Sequence, residues 1–179
     1  MRTPIIGVLL LLSACGGGSE ADAKKDRAAS MATWALLFPL DGAEVRLPLK
    51  EMNVLLFKDE EVASKNPVVF EIQGDGVSLF GQIPPANNPG YDEKWEKLIG
   101  ATLTVKPSGE FHHDAVESRL ALPGKPEVKV LSGTLTPEST SGKWSGSEGN
   151  KTLKGKFSLL LSDGRRIEGT FAVHAITWG

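Results

Sequence analysis

From Trp34 onward apolar and polar residues alternate with a period of two, and clusters of Gly, Pro, Asn and Asp break the alternation at short intervals. Successive side chains of an extended strand point to opposite faces, so this pattern belongs to strands with one buried and one wet face. Runs at 33–40, 44–49, 53–58, 68–73, 77–83, 101–106, 118–122, 127–136, 151–161 and 165–176 carry it. The predicted fold class is all-β: an antiparallel sandwich or partly open barrel of about 8–10 strands. One segment departs from the pattern. Around 89–99, Asn88 stands as an N-cap, Pro89 at the first helical position and Gly100 as the stop, which predicts one short helix. Tyr91, Trp95, Leu98 and Ile99 share one face of that helix. Tyr91 and Trp95 are therefore the candidate ligand-facing residues, although the same face also suits a lid over the end of a sheet.

Two hairpins are readable in register. In FEIQGDGVSLFG a two-residue turn at Gly74-Asp75, or a four-residue loop of the same parity, would set Ile72 against Val77 and Phe70 against Leu79, so that the apolar faces coincide. In KFSLLLSDGRRIEGTFAV a two-residue turn at Asp163-Gly164 would mix the faces. A loop of Ser162, Asp163 and Gly164, with Gly164 left-handed, sets Leu159 against Ile167 instead. That register places Phe157 opposite Gly169 and Phe171 opposite Gly155, with each ring over a glycine. The predicted core face is Leu153, Phe157, Leu159, Leu161, Ile167, Phe171 and Val173. The wet face is Lys154, Lys156, Ser158, Arg166, Glu168, Thr170 and His174.

Composition adds bounds. The 179 residues, 40% of them hydrophobic, suit one domain with a core of ordinary size. Net charge is −2, and Arg2 is the only charge in residues 1–14, so there is no basic surplus to recruit nucleic acid. A single cysteine, Cys15, excludes an internal disulfide.

That cysteine follows a positive start and an apolar run at 5–12, which is far short of the roughly 20 residues that span a bilayer as a helix. Leu12-Ser13-Ala14-Cys15 resembles the lipobox of bacterial lipoproteins. The resemblance covers about the first sixteen positions and implies cleavage between Ala14 and Cys15, diacylglyceryl attachment to the Cys15 thiol, and acylation, commonly with palmitate, of the new amino group. It implies a membrane partner through the acyl chains, since two chains anchor stably where one holds only marginally. Gly16 stands where an aspartate retains such proteins at the inner membrane in enteric bacteria. The implied location is the outer membrane, on its periplasmic or surface side, with the inner membrane as the lesser alternative. Residues 15–33 read as a lipidated cysteine and a polar, charge-balanced tether with a span of roughly 20–25 Å, and 34–179 as a single β-domain.

Candidate chemistry is sparse. Phe111-His112-His113-Asp114, with Glu117 close by, is the His-rich spot. His112, His113 and Asp114 are weak metal candidates, because any one local conformation aligns at most two ligands and zinc takes three or four. A solvated loop between Pro107 and Ser118 is the plainer expectation. Gly142-Lys143-Trp144 spells the Gly-x-Trp triplet of lipocalins, which in that family sits on the first strand, not near the C-terminus. The chain has no nucleophile elbow, Ser-x-x-Lys box or phosphate-cradling glycine motif, and no cofactor is expected. The leading reading is a lipid-anchored, non-enzymatic binding or structural β-domain of the cell envelope, facing an envelope protein or small ligand. The alternatives are a lipocalin-like carrier with an apolar cavity, and a hydrolase. Acidic or histidine side chains converging in a cleft would mark the hydrolase.

Overall fold

The computed structural model describes residues 34–56, 65–90, 94–142 and 151–178. The strands are β1 (Ala35–Leu40), β2 (Ala43–Leu55), β3 (Val68–Gly74), β4 (Val77–Ile83), β5 (Leu103–Lys106), β6 (Ser108–Phe111), β7 (Asp114–Glu117), β8 (Arg119–Leu120), β9 (Val128–Ser141), β10 (Thr152–Leu161) and β11 (Arg166–Trp178). All but β6 and β7 form one nine-stranded sheet in the order β10-β11-β1-β2-β3-β4-β5-β9-β8. Pairing of β9 with β10 joins its two arms, so the sheet curls into a partly closed ring. Two short strands leave part of the wall to others. Beyond the end of β1, β11 pairs directly with β2 in parallel, and beyond the end of β5, β8 bridges β4 and β9.

The inward side chains fill this ring as one contiguous cluster that includes Leu36, Phe38, Met52, Phe70, Ile72, Leu103, Leu135, Leu159 and Phe171. The β10–β11 hairpin follows the predicted register, with Leu159 opposite Ile167, Phe157 opposite Gly169 and Gly155 opposite Phe171. Gly164 is left-handed at φ +84°. The Arg165 guanidinium bonds the Asp163 carboxylate across this turn and holds it below its usual range. All predicted core-face residues of the hairpin are buried. His174 is not on a wet surface: it is buried, stacked on Trp34 at 4.9 Å and 13°, with Nδ1 3.1 Å from the Lys151 carbonyl. The two glycines answer to neighbouring backbone more than to the rings. A Cβ at Gly169 would run into the Leu37 carbonyl of β1, and one at Gly155 into the Thr136 carbonyl of β9.

Elsewhere the structure revises the expected elements. The β3–β4 loop is Asp75-Gly76, which pairs Ile72 with Leu79 and Phe70 with Gly81. The shift is two residues, so the core face is unchanged. Gly74 is the last residue of β3, where a side chain would strike the Pro48 carbonyl, and Gly76 takes the turn at φ +72°. The runs at 44–49 and 53–58 are one strand within the described residues. Val45, Leu47 and Leu49 point inward, then Met52 and Val54, and a register shift between Leu49 and Glu51 absorbs the change of parity. β9 continues past Pro137 because a second register shift lies there, where the missing N–H is not needed. Of the helix expected at 89–99, the described residues contain a single 3-10 turn, Trp95–Leu98. Asn88 does not cap that turn, which is entered from Lys94; its Oδ1 accepts the Gly90 N–H at 2.9 Å in a local turn of its own.

Candidate functional site

The predicted loop between Pro107 and Ser118 is the hairpin β6–β7, turned at His112-His113. Both histidines have positive φ, 49° and 70°, as a tight turn matching the twist of the strands requires. Histidine is among the few residues besides glycine that tolerate this region.

The hairpin lies against the outer face of the sheet. Phe111 and Val116 pack on Phe80, with Leu55 and Val69 beside them. Gly109 allows this approach, since a Cβ there would fall within the Phe80 ring. At its base Ser118 is fully buried. Its hydroxyl donates to the Lys106 carbonyl at 2.6 Å and accepts the Phe80 N–H at 2.8 Å. One side chain thus clasps the hairpin to β4 and β5.

Along β2 and β3 the outward residues change from apolar to polar just where the hairpin ends. Leu55 and Val69 give way to Asn53 and Glu71, which are paired, and then to Glu51 and Gln73, also paired. Between this polar floor and the hairpin runs an open groove of ≈ 470 Å³, also lined by Phe111, His112, Asp114 and Trp178. The last side chain comes from the end of β11, where Trp178 pairs with Leu55.

Trp178 is 49% exposed, yet its ring is held. The indole N–H donates to Asn53 Oδ1 at 2.7 Å, and Asn53 Nδ2 donates to Glu51 Oε1 at 3.1 Å. Because an indole N–H can only donate, the oxygen of the Asn53 amide must face it, which fixes the amide's orientation. His112 stands edge-to-face with both neighbouring rings, 5.0 Å from Phe111 and 5.9 Å from Trp178. Glu51, Glu71 and Asp114 line the groove; among the described residues no lysine, arginine, hydroxyl or thiol does. Such a site can accept hydrogen bonds, attract positive charge and offer aromatic faces.

His112 and Asp114 therefore lie in one groove, whereas His113 points away, 98% exposed, with Nδ1 3.3 Å from Glu110 Oε1. Among the described residues no three His, Cys, Asp or Glu side chains come together to hold a metal. Trp95 is fully buried in the core, against the ligand-facing role considered for it. Tyr91, the lipobox residues Ala14 and Cys15, and Trp144 lie outside the described residues. Trp178, Asn53, Glu51, Glu71 and Ser118 escaped sequence reasoning. Parity was the available signal, since Trp178 follows His174 and Ile176 on the outward face of the same strand.

The described residues thus fold as a partly closed β-ring around a contiguous apolar core, with an aromatic, acidic groove on its outside. No protein-family model, curated protein or solved structure matches it.

Proposed function

We propose that this protein is a lipid-anchored lipoprotein of the bacterial cell envelope, most simply the outer membrane, whose β-domain is a non-enzymatic binding module with its ligand surface in the β6–β7 groove. The carrying observation for the surface is the coincidence there of a pinned, half-exposed indole, three carboxylates and a left-handed histidine turn. Backbone in sparsely populated regions clusters at functional sites. The contiguous apolar core among the described residues supports a ligand held outside the sheet in preference to the carrier's internal cavity.

The anchor rests on Leu12-Ser13-Ala14-Cys15. No described helix is long and apolar enough to cross a membrane. Radioactive palmitate should label the protein and leave it with membranes, and both should be lost on Cys15→Ala. Label that survives this substitution contradicts the anchor.

A hydrolase is the second reading, favoured by Glu51, Glu71, Asp114 and His112 lining one groove. It requires turnover of an ester or glycoside that Glu71→Gln or Asp114→Asn abolishes.

A further inference from the structure

We propose that the groove receives a small organic cation, an alkylammonium group carried by a free solute. This rests on the reading of the groove as a ligand surface and names the ligand's chemistry.

Charge is the first ground. Glu51 reaches the groove from β2, Glu71 from β3 and Asp114 from β7, and among the described residues no lysine or arginine lines it. Three carboxylates on one groove make its potential negative, which attracts a cation. Anionic ligands are disfavoured by the same potential.

The second ground is independent of charge. His112 and the half-exposed Trp178 stand 5.9 Å apart at 84°, so their two ring faces look in perpendicular directions, with the buried Phe111 packed edge-to-face against His112. Rings set at right angles around a space are how proteins hold ammonium groups, by attraction of the cation to the negative ring faces. The indole that contributes most is already held by Asn53 before any ligand arrives, so little ordering cost remains on binding. At ≈ 470 Å³ the groove takes a compact solute. A phospholipid headgroup fits less well, because its phosphate would sit beside the ammonium group and face the carboxylates.

The full-length protein, labelled with ¹⁵N at its tryptophan indoles, is titrated with three probes: choline, glycerophosphocholine, and 3,3-dimethylbutanol as the uncharged isostere of choline. Choline should move the Trp178 resonance, which its absence from Trp178→Phe assigns. Glycerophosphocholine should bind at least about tenfold more weakly, a margin of about 1.4 kcal/mol. The isostere should give no shift at matched concentration. Glu71→Gln should weaken choline about tenfold and leave the remaining indole resonances in place. Followed by calorimetry, since neither variant carries the Trp178 signal, Trp178→Ala should also weaken choline binding, while Trp178→Phe, which keeps a ring face, should retain most of the affinity. Equal binding of the isostere overturns the cation and keeps the groove as a ligand surface. Equal binding of glycerophosphocholine overturns the free solute in favour of a headgroup. No shift with any probe overturns both the cation and the groove as a small-ligand site.

Discussion

At Gly81 one methyl group decides whether β3 and β4 can pair as they do. A Cβ there would overlap the Phe70 ring across the strand pair and the Thr104 carbonyl on the other side, and Phe70 is fully buried. Neither neighbour is a loose side-chain end, so the clash cannot be relieved cheaply. Gly81→Ala should cost about 1–3 kcal/mol, the usual range for overpacking. Urea unfolding followed by circular dichroism should show the midpoint falling with an unchanged slope, and an unchanged midpoint would show that the strand can shift. Single residues also show where the sequence was legible. Leu153, Phe157, Leu159, Ile167 and Phe171 announced their burial by alternation alone. His174 did not, because its burial depends on Trp34, which arrives from a distant part of the chain.

Among the elements, β6–β7 decides the site, and it was the hardest to read. Its turn is two histidines where glycine or asparagine would have signalled a hairpin, and each of its strands is too short to show alternation. The β10–β11 hairpin was legible because only one loop length aligned its two apolar faces. β2 was read as two pieces since a local parity rule cannot see through a bulge that a partner strand stabilises. Ser118 ties the β6–β7 element down. Ser118→Ala would leave the buried Lys106 carbonyl and Phe80 N–H unpaired, at a cost of about 1–3 kcal/mol. Hydrogen exchange should then rise in 108–117 first, ahead of β10 and β11. A uniform rise over the whole sheet would show that the clasp supports the ring and not the hairpin.

On the scale of the molecule, the ring makes the groove possible by supplying a rigid outer wall. β2, β3 and β11 meet there only because β11 runs past the end of β1 to pair with β2, which carries Trp178 to Asn53. That long-range meeting has no local signature, so the strands were readable from the chain but the site was not. The proposed binding surface sits on a domain that, in our account, is held at a membrane by lipid on Cys15. The most direct measurement of that account is the intact mass of the protein recovered from its own membranes. The account predicts a chain that begins at Cys15 and carries diacylglyceryl and amide-linked acyl groups. A chain that retains residues 1–14, or that begins at an unmodified Cys15, would contradict it.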